Sequence, residues 1–272
     1  MPCPSVVYHS IGGKPQHQGG GVYTHLPMPT LPSAWRRAFN IYESSWSSDL
    51  SPGYGINTRE LNRYLDFVED PNRDRNAQPD THSAGACEPA FDGPIVLDME
   101  RYRPRDYPDV FRSVLERVAA WRPRAALTLY GSVSKWASQW DTPSTAATKQ
   151  SENDQNNISV YTRHKHVALY LKSVDAAASW EAWNARNVAE AVRWASRTGG
   201  RAFAGIGLHD YDGSVLTDAA RMLAQVRPAI RAGLDLIVWD YWYNATERDA
   251  ALPAIAAVET AITTAKAQLW GE

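Results

Sequence analysis

Short apolar runs alternate with amphipathic stretches from residue 94 to the end of the chain, and this pattern constrains the fold more than any other feature. The apolar runs have the length of strands, at residues 94–100, 125–130, 166–172, 201–208 and 235–242. The stretches between them carry apolar residues at helical spacing, as in the stripe of Val110, Val114, Val118 and Trp121. Such alternation is typical of parallel strands joined by right-handed helical crossovers.

The remaining segments bring the number of predicted strands close to that of a barrel. Residues 5–10 and 39–46 are two further strand candidates, and residues 57–69 form an amphipathic helix. Helices are also predicted at 179–197, which Gly199 and Gly200 end, at 216–232, and in a closing stripe of Ile255, Val258, Ile262 and Leu269. We therefore predict an α/β fold: a TIM-type (β/α) barrel, regular or irregular, of seven to eight strands. The predicted domain is a single catalytic barrel over residues 1–272, with long polar loops at 70–92 and 138–160.

Composition excludes several classes of function. The chain has 272 residues, 44% hydrophobic and 21% charged, with a net charge of −2 and no basic block. Nucleic acid and membrane surfaces are therefore not expected partners. The start of the chain lacks a signal-peptide pattern, so we expect a cytoplasmic protein, or a secreted one from which the signal was removed. Cys3 and Cys87 are the only cysteines, and their redox state stays open. No Cys/His cluster has the spacing of a zinc site, and no nucleotide-binding motif follows a predicted strand. We therefore expect no metal and no cofactor.

Asp98 and Glu100 follow the most apolar strand, Ile95-Val96-Leu97. Side chains two apart on a strand share a face, with alpha carbons about 6.6 Å apart. Two neighbouring carboxyl groups raise the pKa of one of them, which keeps a general acid protonated near neutral pH. The structural alternative is that Asp98 caps the next loop and Glu100 pairs with an arginine.

Acids and aromatics also occur at the other strand ends, which converge on one face of a parallel barrel. Glycoside hydrolysis needs such a set: an acid, a second stabilising group and aromatic platforms for sugars. The chain is rich in aromatics with a polar edge, having 11 Trp and 13 Tyr against 5 Phe. The predicted substrate-binding residues are Trp46, Tyr130, Tyr170, His209, Asp210, Trp239 and Trp242, with Asp240 and Tyr211 added to the catalytic candidates.

Residues 95–104 resemble the D-x-E strand of hyaluronidase-type glycosidases, in which an aromatic residue, Arg and Pro follow the acids. Ile237-Val238-Trp239 is similar to a strand near the end of that barrel. The resemblance implies that Glu100 is the acid/base and that Asp98 orients an N-acetyl group whose oxygen is the nucleophile. It implies Tyr170 or Tyr211 as an assisting tyrosine. Leu129-Tyr130-Gly131 with Trp136 is similar to a strand of muramidase-type lysozymes, which also end a strand Asp-x-Glu.

The leading hypothesis is a retaining glycoside hydrolase that acts on a polysaccharide with Glu100 as general acid/base. If no acetamido group takes part, Asp240, Asp210 or Glu43 is the candidate nucleophile opposite Glu100. A metal-dependent hydrolase is an alternative, with ligands from Asp98, Glu100, His209 and Asp210. A non-catalytic glycan-binding barrel is another. The sugar, the linkage and the oligomeric state stay open.

Overall fold

The computed structural model describes residues 5–13, 16–17, 23–24, 30–42, 59, 61–62, 65–66, 89–99, 107–131, 147–148, 151, 161–169, 177–209, 215, 218–242 and 245–271. The strands in this part of the chain are β1 (Val7–Gly13), β2 (Gln16–His17), β3 (Tyr23–Thr24), β4 (Arg36–Arg37), β5 (Phe39–Tyr42), β6 (Pro94–Asp98), β7 (Ala126–Leu129), β8 (Lys165–Ala168), β9 (Ala202–Gly207) and β10 (Asp235–Trp242). The helices are α1 (Pro108–Trp121), α2 (Ala177–Thr198), α3 (Ala219–Arg231) and α4 (Ala245–Trp270).

The parallel strands lie around a common interior. They are hydrogen-bonded in the orders β4–β1–β10–β9–β8 and β5–β6–β7. Only Ala38 separates β4 from β5, and its N–H donates to the carbonyl oxygen of His9 at 2.8 Å. The Thr128 hydroxyl of β7 donates to the carbonyl oxygen of His164 beside β8, at 3.2 Å. With β4 and β5 counted as one, seven parallel strands of the described chain form this architecture, and the predicted TIM-type barrel is confirmed.

The two faces of the strands bury different side chains. Alternate residues along a strand point to opposite faces. One face packs against the helices in two large clusters, centred on Phe39, Leu97 and Phe111 in one and on Val167, Ile206 and Val238 in the other. The other face lines the barrel interior, with a small cluster of Tyr8, Ala38, Val96, Ala126, Phe203 and Ile237. This alternation tells us which strand residues face the interior.

The helices largely follow the predicted boundaries. In α1, Val114 and Val118 of the predicted stripe are buried. Helix α2 ends at Thr198, and Gly199 has a φ of 63°, the left-handed conformation that favours glycine. Helix α3 begins at Ala219, later than predicted, because the carboxylate of Asp218 caps it by accepting from Arg221 N–H at 2.8 Å.

Other predictions meet the structure only in part. The described residues of the predicted helix 57–69 are helical, and Leu61 and Leu65 among them are buried. In the predicted polar loop 138–160, Ala147–Thr148 and Ser151 are helical, which the sequence did not signal because no apolar stripe marks this stretch. The antiparallel pair β2–β3 lies between the strand candidates 5–10 and 39–46, where no strand was predicted. Among the described helices, none combines the length and the apolar character needed to cross a membrane.

Candidate functional site

The carboxyl ends of the parallel strands lie at one end of the barrel, which we call the mouth. Asp98 is the last residue of β6 and is half-buried. It lies on the same pleat as Val96, which is buried in the barrel interior beside Phe203 and Ile237. Asp98 therefore lies on the interior-facing pleat at the mouth. Glu100 lies outside the described residues, so its role stays a prediction.

Tyr130 lies beside Asp98 on the neighbouring strand. Its backbone N–H donates to the carbonyl oxygen of Leu97 at 2.7 Å, which continues the β6–β7 pairing beyond β7. The register therefore places residues 98 and 130 side by side, about 4.8 Å apart across adjacent strands. Tyr130 also packs against the interior cluster. A carboxylate and a phenol, both predicted as site residues, are thus neighbours at the mouth.

His166 joins this pair, although it was not predicted as a site residue. Its ring centroid lies 5.5 Å from that of Tyr130, and its Nδ1 atom accepts from Gly131 N–H at 3.3 Å. The opposite edge of the ring lies against Gly205 of β9, where an added Cβ would stand 2.6 Å from Nε2. A glycine within a strand often marks such a close approach. Gly205, which interrupts an apolar run, is the sequence signal that could have pointed to an interior partner.

Trp239 occupies the interior-facing pleat of β10. It is half-buried and pairs in register with Ser10 of β1 and Gly207 of β9. The amide of Gln225, on α3, both accepts from Gly207 N–H at 3.3 Å and donates to Gly207 O at 3.4 Å. The last described backbone hydrogen bond between β8 and β9 runs from Leu169 N–H to Gly205 O. Beyond it, the side chain of Gln225 bonds the backbone of Gly207 in the way that a neighbouring strand would. A helix side chain thus supports the end of β9 beside the indole.

His209 and Asp240 form a pair at the ends of β9 and β10. Nδ1 of His209 lies 2.9 Å from Oδ1 of Asp240, and the side chains are 28% and 6% exposed. Asp240 lies on the helix-facing pleat with Leu236 and Val238, opposite to Trp239. A carboxylate that accepts from Nδ1–H fixes the tautomer and the orientation of the imidazole. Asp240 is therefore placed to position His209. Asp240 itself lies on the helix-facing pleat, whereas Asp98 lies on the interior-facing pleat.

Most of the remaining predicted site residues lie outside the described part of the chain. Beyond Glu100, the set outside the described residues comprises Trp46, Tyr170, Asp210 and Tyr211, together with Glu43. Trp242 is described only as backbone at the end of β10. These assignments stay predictions, as do the roles of the residues that the structure does bring together.

The described residues offer no cluster of three or more His, Cys, Asp or Glu side chains that would hold a metal ion. Of the four ligands in the metal-dependent alternative, only Asp98 and His209 are described, and His209 is paired with Asp240. The described part of the site contains two carboxylates, aromatic rings and two imidazoles.

Comparison with known proteins gives structural likenesses alone. No protein family and no curated protein matches the sequence. A crystal structure of bee venom hyaluronidase in complex with a hyaluronic acid tetramer is 15% identical, with a TM-score of 0.57, over 85% of this chain and 87% of that chain. A monoclinic structure of bee venom hyaluronidase is also 15% identical, with a TM-score of 0.48, over 84% of this chain and 71% of that chain. A broad-specificity endoglucanase from Bacteroides salanitronis is 10% identical, with a TM-score of 0.43, over 96% and 93% of the two chains. The resemblance to hyaluronidase-type barrels is thereby confirmed for the fold.

Proposed function

We propose that the protein is a glycoside hydrolase that cleaves glycosidic bonds in a polysaccharide with retention, using Glu100 as general acid/base. The observation that carries the proposal is the position of Asp98, a carboxylate on the interior-facing pleat at the mouth of the barrel. Barrel enzymes build their active sites at this end. Glu100 is the second residue after Asp98, the spacing that keeps the same face if the strand conformation continues.

Aromatic side chains on the interior-facing pleats at the mouth support a sugar as the ligand. Tyr130 is the neighbour of Asp98 on the next strand, and Trp239 lies on the interior-facing pleat of β10. Phenol and indole rings combine an apolar face with a polar edge, which suits the face of a pyranose ring and its hydroxyl groups. His166 holds the turn after β7 through Gly131 and contributes to the rigidity of this wall.

The proposed chemistry is the one that the resemblance to hyaluronidase-type glycosidases implies for the two acids. In the first step Glu100 protonates the glycosidic oxygen as that bond breaks, while the acetamido oxygen of the substrate attacks the anomeric carbon. Asp98 orients the acetamido group, and Tyr170 or Tyr211 assists it. In the second step Glu100 takes a proton from water, and the water oxygen replaces the acetamido oxygen. Two inversions give net retention.

A polysaccharide that contains N-acetylhexosamine is the substrate class that we propose. The neighbour with a TM-score of 0.57 was crystallised with a hyaluronic acid tetramer. The acetamido route also requires this sugar. A neutral glucan without acetamido groups would need an enzymic nucleophile instead, and Asp240, Asp210 or Glu43 is then the candidate. Of these, Asp240 lies on the helix-facing pleat and is paired with His209.

The test compares the wild-type protein with Glu100→Gln and Asp98→Asn on hyaluronan, chondroitin, peptidoglycan and plant and microbial glycans, with released reducing ends as the readout. The matched control is Asp109→Asn, which makes the same chemical change at an exposed position on α1. We expect one substrate class to be cleaved, with at least a 10²-fold loss in Glu100→Gln and no loss in the control.

Three results would contradict this proposal. Equal cleavage by the wild type and Glu100→Gln would show that the active site lies elsewhere in the protein. Activity that a chelator abolishes would favour the metal-dependent alternative. Binding of a glycan without any cleavage would favour the glycan-binding barrel.

A further inference from the structure

Five exposed arginines share the end of the barrel opposite the mouth, which we call the base. The strands are parallel, so the amino end of each strand lies at the base. These arginines begin a strand, precede one closely, or end the helix that leads into one. They are Arg36 at β4, Arg124 before β7, Arg163 before β8, Arg201 before β9 and Arg231 at the end of α3.

Few acidic residues occur among the described residues of the base. In the described loops and strand starts at this end, they are Asp92 and Asp235. Asp235 is already engaged, since its carboxylate accepts from Arg201 and, at 2.8 Å, from the backbone N–H of Val6. The described loops and strand starts of the base are therefore positively charged, whereas the chain as a whole has a net charge of −2.

His164 lies within this positive environment. Burial, and then the charges of Arg163, Arg201 and Lys165, lower the pKa of His164 from 6.5 to about 4. Its Nδ1 atom accepts from the backbone N–H of Arg201 at 3.1 Å. The three cations are thus close enough together to act on one imidazole.

Helix dipoles do not account for this arrangement. A cation in the last turn of a helix is stabilised by the helix C-terminus, and this explains Arg231 in α3. Arg36, Arg163 and Arg201 lie outside the helices. Two of these guanidinium groups are held in place: Arg163 Nε donates to Gly199 O at 2.7 Å, and Arg201 lies 5.0 Å from the ring centroid of Phe203. Preorganised guanidinium groups suit bidentate recognition of oxyanions such as carboxylates.

We propose that the base is a second binding site for an acidic polysaccharide, whose carboxylate or sulfate groups pair with these arginines. The inference rests on the proposed function, because a polymer that enters the mouth is long enough to contact a distant face as well. The arginines are distributed around the barrel over strands about 4.8 Å apart, which suits charges spaced along a sugar chain. The dense charge of duplex DNA would instead favour a protein of positive net charge.

The test measures binding of labelled polygalacturonate and of neutral dextran to the whole protein. The variant is Arg36→Ser/Arg124→Ser/Arg163→Ser, which leaves the Arg201–Asp235 pair intact. The control, Arg59→Ser/Arg112→Ser/Arg186→Ser, removes three exposed arginines on helical segments away from the base. Both are checked by thermal unfolding. We expect wild-type binding to polygalacturonate that weakens with added salt, a loss of about tenfold in the base variant, and a loss within about twofold in the control.

Hydrolysis of a short soluble oligosaccharide is measured on the same proteins, so that the two proposals can fail separately. Loss of polygalacturonate binding only in the base variant supports the second site, whether or not hydrolysis is found. Equal losses in both triple variants would overturn it, because net charge alone would then explain the binding. Tighter binding to duplex DNA than to polygalacturonate, again lost in the base variant, would assign the base to nucleic acid and also overturn it.

Discussion

Asp240 holds His209 through a 2.9 Å contact between Oδ1 and Nδ1 that joins the ends of β9 and β10. The carboxylate is almost fully buried on the helix-facing pleat, whereas the imidazole is partly exposed. His209 also forms an isolated antiparallel bridge with Val215, so the two ends of the segment between them lie side by side. The pair therefore fixes the point at which the chain leaves β9 at the mouth.

The His209–Asp240 pair should show strong energetic coupling. Removing one partner of a buried pair leaves a charge without compensation, and the partial exposure of His209 moderates the cost. In a double-mutant cycle of His209→Ala and Asp240→Ala, measured by urea unfolding, we expect a coupling energy of about 1–3 kcal/mol.

An exposed ion pair serves as the control for this cycle. Arg112 and Asp109 on α1 lie 3.7 Å apart, with side chains 64% and 91% exposed. Water and salt screen such a pair, so its coupling should not exceed about 0.5 kcal/mol. Equal coupling in the two cycles would show that Asp240 does not stabilise His209 in this way.

Gly205→Ala should disrupt the wall formed by His166 and Tyr130. The new Cβ would lie 2.6 Å from Nε2 of His166, so the ring must move. We expect a loss of about 1–3 kcal/mol in the free energy of unfolding. The double variant Gly205→Ala/His166→Ala should recover part of it, because the smaller side chain makes room. If the double variant loses as much as the two single changes added together, the contact is not the cause.

Gln225→Met should loosen the end of β9. Methionine fills a similar volume but cannot replace the two hydrogen bonds to Gly207, whose buried backbone groups would lose this partner. We expect a loss of about 1–3 kcal/mol by urea unfolding. The matched control is Gln268→Met: Gln268 accepts a hydrogen bond from Arg227 in an exposed position, and its loss should cost less than about 0.5 kcal/mol. Similar losses in both variants would rule out a special role for Gln225.

The barrel could be predicted from the sequence because its signal is local and repeated. Each buried strand is an apolar run of the right length, and each helix carries an apolar stripe. The alternation of strands and helices is therefore recognisable even when the predicted boundaries of an element are wrong by a few residues. The end of α2 at Gly199 was predictable for the same reason: the glycine stands where a left-handed residue is needed. The position of Asp98 at the end of β6 was predictable because this residue follows such a run directly.

Contacts between distant segments were not predictable in this way. His166 meets Tyr130 and Gly205 only after three strands have been placed side by side. Trp239 and Asp240 are adjacent in sequence and were grouped together as site residues, but strand alternation sends them to opposite pleats. The partner of Asp240, His209, comes from another strand and depends on the strand order.

Lys165 should make stability depend on pH in the alkaline range. It is fully buried at the start of β8, where its Nζ donates to the carbonyl oxygen of Thr162. Burial lowers the pKa of Lys165 from 10.5 to about 8. Between these values the unfolded chain binds a proton that the folded chain does not, so this residue makes stability rise with pH. Below about pH 8 the cost of the buried charge is fully present.

Lys165→Met should abolish this contribution. The difference in the free energy of unfolding between the wild type and the variant should shift in favour of the wild type by about 2–3 kcal/mol from pH 8 to pH 10.5. Other alkaline titrations cancel in the subtraction. Lys266→Met, on α4, is measured in parallel as the control for replacing a lysine elsewhere in the chain. A difference that stays constant for Lys165→Met would mean that the folded protein keeps Lys165 charged up to its usual pKa, with the hydrogen bond to Thr162 offsetting the cost of burial.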